Sequence, residues 1–207
     1  VLGMESPWAA VAAGFLTGAA LIIAIGAQNA YVLRQGIRRE HVGLIVAICA
    51  VSDVLLIAVG TLGIGALVTR APALLEVLRW GGVAYLVWFA ATALRSAAGG
   101  GSLAAAAGSE RVSARRAGLL AASLTYLNPH VYLDTVVMVG NLANQQGALR
   151  WAFAGGAGTA SIGWFTGLGY GARALAPVLD RPATWRVVDV GVGLVMLAVA
   201  ARLALGG

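Results

Sequence analysis

Apolar residues in this chain come in runs about as long as a bilayer is thick, separated by short polar gaps. A helix rises about 1.5 Å per residue, so about 20 mostly apolar residues cross the hydrocarbon core. Six stretches come close: 8–33, 42–68, 74–94, 117–142, 151–172 and 184–205. The pattern predicts an all-α membrane protein with six transmembrane helices. The last stretch carries Asp189 near one end and Arg202 near the other, positions expected at the two interfaces, where long basic side chains snorkel to water. The first is preceded by Glu5 with no basic segment and followed by further spans, so it is expected to be a membrane helix rather than a secretory signal.

The apolar pattern lapses between 95 and 116, where Gly99, Gly100, Gly101, Ser102 and a run of Ala mark a flexible linker. It divides the chain into a three-helix unit over 1–97, a cytoplasmic linker over 98–115 and a second three-helix unit over 116–207. Leu62-Gly63-Ile64-Gly65-Ala66 recurs as Leu168-Gly169-Tyr170-Gly171-Ala172, and the first and fourth stretches each contain a polar interruption. An odd number of spans per unit makes the second unit enter the membrane upside down. Such an inverted repeat carries its substrate site at the midplane, between the halves.

Composition narrows the class. With 60% apolar and 11% charged residues and a mean hydropathy of +0.86, the chain lies outside the range of soluble domains. Its net charge of +6 comes from fourteen Arg and no Lys against eight acids, which in a membrane protein sets orientation rather than nucleic-acid binding. With both termini outside, ten Arg fall on the inner side (34, 38, 39, 95, 111, 115, 116, 173, 181, 186) and four on the outer (70, 79, 150, 202). A re-entrant first stretch would move the N-terminus to the other side. In the same topology Trp8, Trp80 and Trp151 lie near the outer interface and Trp185 near the inner one, as an aromatic belt does. Cys49, His41 and His130 supply neither a disulfide nor zinc spacing, so no metal or cofactor is expected. Gly14 and Gly18, and Gly163, Gly167 and Gly171, form small-residue ridges suited to close helix packing.

Two carboxylates lie deep in apolar sequence: Asp53 in the second stretch and Asp134 in the fourth, five residues after Pro129. A carboxylate in hydrocarbon costs several kcal/mol unless protonated or paired, so each needs a cavity, a proton or a cation. The plain alternative is an Asp hydrogen-bonded to a neighbouring helix. Gly26-Ala27-Gln28-Asn29 interrupts the first stretch and Asn128-Pro129-His130 the fourth, where Pro129 removes an amide donor and frees a carbonyl one turn earlier. Broken helices present free amides and a positive dipole end to an α-carboxylate, and freed carbonyls to an ammonium; a kink serving packing alone is the alternative. Gln28, Asn29, Asn128, Pro129 and His130 are therefore candidate site residues, with Ser52 and Tyr132, which neighbour the two acids, as possible lining.

At these residues the sequence resembles the LysE family of lysine and arginine exporters. The matching stretches are Gly26-Ala27-Gln28-Asn29-Ala30 running into Gln35-Gly36-Ile37-Arg38-Arg39, Val51-Ser52-Asp53, Trp80-Gly81-Gly82-Val83-Ala84-Tyr85, and Leu127-Asn128-Pro129-His130-Val131-Tyr132-Leu133-Asp134. Four motifs in order and at matching spacing cover nearly the whole chain apart from the linker and the extreme ends; the fourth most resembles the arginine-exporting branch. The resemblance implies efflux of basic amino acids driven by the proton-motive force, with Asn29, Asp53, Asn128, Pro129 and Asp134 at the positions the family pattern marks. The family normally has Pro where Ala27 stands, so a less pronounced first break is expected here.

The expectation is thus a bacterial inner-membrane exporter, not an enzyme, whose partners are L-arginine or L-lysine, protons and lipid, with a homo-oligomer left open. Rivals are an intramembrane aspartyl protease with an Asp53/Asp134 dyad, although neither Asp follows a Gly-x-Gly, and an exporter of neutral amino acids or metal ions on the same scaffold.

Overall fold

The computed structural model of the chain describes residues 6–23, 26–64, 72–98, 112–179 and 182–205. All regular structure among the described residues is helical. Helix α1 is Pro7–Ile22, α2 is Ala27–Arg38, and α3 is Val42–Val59, continued by Gly60–Ile64, where Gly63 turns left-handed at φ 90 and kinks the chain. Then come α4, Pro72–Ala98, and α5, Ala114–Tyr126. Helix α6 runs from Pro129–Val131 through a π-helical Tyr132–Val139 into Gly140–Asn144; α7 is Arg150–Leu179 and α8 is Pro182–Ala204. The linker expected over 98–115 falls largely outside the described residues.

By length and apolarity, Val42–Gly63 and Arg186–Ala204 qualify as membrane spans, and α1 with α2 makes a third if that bent pair counts as one. Helices α4 and α7, 27 and 30 residues long, are also long enough to cross. The first and fourth stretches are each two helices. Helices α1 and α2 meet at 82°; Ala27 is the first residue of α2, with Gly26 extended before it at φ −125 and ψ 173. In the fourth stretch Pro129 does not kink a continuing helix. It opens a new one, where its fixed φ fits and its missing amide is not needed.

The two halves interleave. Helix α1 packs along α7, α4 along α8, and α3 lies against α7, α5 and α6. The α1–α7 contact is backbone to backbone: a Cβ at Gly14 would strike the Phe153 carbonyl, and one at Gly156 the Val11 carbonyl. A second close crossing joins Gly60 at the end of α3 to Gly140 of α6. The ridge of Gly163, Gly167 and Gly171 behaves differently from expectation, since no heavy atom lies within 4 Å of where a Cβ would stand on any of them. That face of α7 is not in a packed contact.

One apolar cluster spans both halves, with Tyr31, Phe89, Phe165 and Met196 at its centre. Within it Tyr31 Oη donates to the Ala117 carbonyl at 3.2 Å, and Tyr31 stacks edge-on against Phe89 at 6.0 Å. Asp189, expected near one end of the last span, is 2% exposed, and Arg34 Nε of α2 donates to its Oδ1 at 3.1 Å. A short acidic side chain cannot snorkel, so burial requires a counterion, and α2 supplies one. Arg34, expected only to set orientation, thus ties the first half to the second.

Candidate functional site

Both helix breaks open onto one cavity of about 170 Å³. Gly26, Ala27, Gln28 and Asn29 reach it from the first break, and Asn128, His130, Val131, Asp134 and Thr135 from the second. Asp53 of α3, Phe165 of α7, and Val199 and Arg202 of α8 complete the polar and apolar walls.

Each break is held by an asparagine. Asn29 Nδ2 donates to the Ile22 carbonyl at 2.7 Å, which serves an acceptor at the end of α1 that the helix itself leaves unpaired. Its Oδ1 accepts from Trp164 Nε1 of α7 at 3.2 Å. At the second break Asn128 is the N-cap of α6, its Oδ1 accepting from the His130 amide at 3.1 Å, with Pro129 in the first helical position. These contacts hold the two breaks in place beside the cavity.

The two acids arrive from opposite halves of the chain. Asp53 is 6% exposed, and its Oδ2 accepts from Ser161 Oγ of α7 at 2.8 Å. A hydroxyl satisfies one oxygen but does not neutralise the charge. Asp134 is partly buried and shares the cavity wall with His130, one turn earlier, and Arg202. No fixed ion pair holds either carboxylate among the described residues. Among the described residues the buried His130 Nε2 has no hydrogen-bond partner. A buried polar atom beside a cavity can serve a polar guest.

Gln28, Asn29, Asp53, Asn128, His130 and Asp134 thus come together as the sequence suggested. Pro129, Ser52 and Tyr132 do not line the cavity. Pro129 is buried in the first turn of α6. Ser52 is buried and one position from Asp53, about 100° round the helix. Tyr132 Oη donates across the break to the Tyr126 carbonyl at 3.0 Å. Arg202, expected at an interface, also lines the cavity, which sequence reasoning did not anticipate; the available signal was an arginine inside a 19-residue apolar span. Ser161, the hydroxyl partner of Asp53, gave no sequence signal.

A family model described as LysE type translocator matches residues 19–207. The lysine exporter LysE of Corynebacterium efficiens is 41% identical over 223 aligned residues, covering 94% of this chain and 97% of that protein. The arginine exporter protein ArgO of Yersinia enterocolitica is 43% identical over 195 aligned residues, covering 94% of this chain and 95% of that one. No solved structure matches.

Proposed function

The chain belongs to the LysE translocator family, and on that premise we propose that it exports L-arginine or L-lysine across the bacterial inner membrane in exchange for protons. Its relatives are translocators, which supports a non-enzymatic role and leaves the protease alternative without support. The observation that carries the reading is the cavity itself, where Asp53 and Asp134, from different halves, face the same space between two helix breaks.

At least one carboxylate is occupied alternately by a proton and by a cationic group of the substrate. Moving one positive charge outward against an inside-negative potential costs about 2.3 kcal/mol per 100 mV, and an inward proton offsets it. The Ser161 hydroxyl orients Asp53 without competing as a counterion. Two inverted three-helix repeats fit the contact pattern, since α1 on α7 and α5–α6 on α3 are the same pairing under exchange of the halves. Alternating access is then a rocking of the halves about the shared site.

With the arginine-rich turn after α2 in the cytoplasm, the Arg202 end of α8 and the C-terminus lie outside. The 82° bend makes the N-terminus the deciding end: a full crossing puts it outside as well, a re-entrant pair inside. A single cysteine at Ser6 in a Cys49→Ser background, probed with an impermeant maleimide on intact cells, separates the two.

The functional test is counterflow of labelled arginine and lysine in proteoliposomes, with homoserine and cadmium as comparisons. Asp53→Asn and Asp134→Asn are each expected to abolish basic amino-acid flux at unchanged protein level. Normal flux from either variant removes that residue from the mechanism, and flux of homoserine or cadmium alone removes the substrate assignment.

A further inference from the structure

Arginine near the C-terminal end of a membrane helix ordinarily does one of two things: it caps the last carbonyls or reaches the headgroups. At the end of α8 the capping is done by another residue. Arg79 of α4 donates from Nε to the Leu203 carbonyl and from Nη2 to the Ala204 carbonyl, both at 2.7 Å. Arg202 itself lines the cavity that holds Asp53 and Asp134. The ion pairs among the described residues are Arg34–Asp189, Arg38–Glu40 and Arg79–Glu76, so no described carboxylate lies within 4 Å of its guanidinium.

The cavity therefore presents two negative groups and one unengaged positive group. A basic amino acid carries the inverse set: an α-ammonium, a cationic side chain and one α-carboxylate. The geometry points to Arg202 as the residue that receives the α-carboxylate of the transported amino acid, a specificity-determining contact that rests on the exporter reading given above. A guanidinium offers two parallel N–H donors matched to a carboxylate, which gives orientation as well as attraction. The carboxylate is thereby held at the α8 wall, and the two cationic groups are left to Asp53 and Asp134. The contact also separates amino acids from the amines that share their side chains: a decarboxylated substrate leaves Arg202 facing two acids with nothing between them. The first amides of α6 are less available for this task, because Asn128 already occupies the His130 amide.

The test is competition against labelled arginine counterflow in proteoliposomes by unlabelled arginine and by agmatine, which is arginine without its α-carboxylate. The wild type is expected to favour arginine. In Arg202→Met the half-inhibitory concentration of arginine rises roughly 10- to 100-fold, the size of a charge-assisted contact, while that of agmatine stays the same or falls. The preference collapses through KM rather than kcat. A merely structural role would weaken both competitors together and overturn the inference. So would an unchanged preference for arginine in the variant, which would leave the carboxylate to the backbone amides of α2, or a wild type that does not distinguish the two. If Arg202→Met does not accumulate, Arg202→Gln carries the same comparison. A wild type that exchanges neither arginine nor lysine defeats the exporter reading itself, an outcome distinct from failure of the Arg202 contact.

Discussion

The two ends of α8 treat charge in opposite ways. At one end Asp189 is buried and held by Arg34 at 3.1 Å, inside the apolar cluster that joins the halves. Roughly 20 Å further along the helix, Arg202 opens onto the cavity with Asp53 and Asp134, and among the described residues no ion pair within 4 Å engages any of the three. The first arrangement pairs its charges within the protein. The second sets charges of both signs around one cavity, as a binding site for a charged substrate requires. Depth in an apolar span does not separate the two cases; what separates them is whether a partner is built in.

The comparison breaks most visibly at the built-in pair. Arg34→Met removes the guanidinium from a buried carboxylate, and losing one partner of a buried pair costs about 3–5 kcal/mol. The double variant Arg34→Met/Asp189→Leu is expected to recover most of that loss, because the remaining charge is gone. Thermal unfolding in detergent of the wild type, both single variants and the double variant measures it. A double variant no better than the singles would make the pair something other than a local electrostatic tie. At the cavity the signs reverse. Asp53→Asn keeps an acceptor for Ser161 and removes a charge whose burial costs about 2.5–3.5 kcal/mol at the centre of a span, so thermal stability is expected to hold or rise by about 1–2 kcal/mol while flux disappears. A fall in stability comparable to that of Arg34→Met would turn Asp53 into a structural residue.

Part of this contrast was legible in the sequence. Asp53 and Asp134 stand out because no interface is within reach of them, and the two polar interruptions stand out because each breaks an apolar run. Their convergence on one cavity was readable only through the idea of a repeat, which aligns Gly26–Asn29 with Asn128–His130. Position along a span did not reveal the partner of Asp189 or the cavity beside Arg202. Both sit near the ends of the last apolar stretch, where water is the default counterpart, yet their surroundings are set by helices α2 and α4, far away in sequence. The glycine ridges show the same limit. Gly14 and Gly163 are equally good small-residue positions, and only the packing of α1 against α7 decides which is covered. Helix order follows from local pattern; the partner of each side chain follows from the fold.

The second break offers a smaller effect. Asn128→Ala removes the cap from α6 and is expected to cost about 1 kcal/mol, whereas Asn128→Ser retains a capping oxygen and loses little. Counterflow sharpens the distinction between scaffold and site. Because Asn128 also lines the cavity, Asn128→Ser is expected to lower flux more than its stability change explains. Equal stability and equal flux in the serine variant would reduce Asn128 to a cap.

The smallest effect is expected at Tyr132, and it tests the boundary of the site. Proximity in sequence to Asp134 made Tyr132 a candidate for the lining, but two positions along a π-helical turn put a side chain on nearly the opposite face, and its hydroxyl instead bridges the break to Tyr126. Tyr132→Phe removes that one partly solvated hydrogen bond, a loss of about 0.5–1 kcal/mol, and leaves the cavity wall as it was. The expected result is a slightly lower unfolding temperature with arginine KM unchanged. A several-fold rise in KM without a matching loss of stability would mean that the phenol turns into the cavity during transport, and that the wall of the site is wider in the working cycle than at rest.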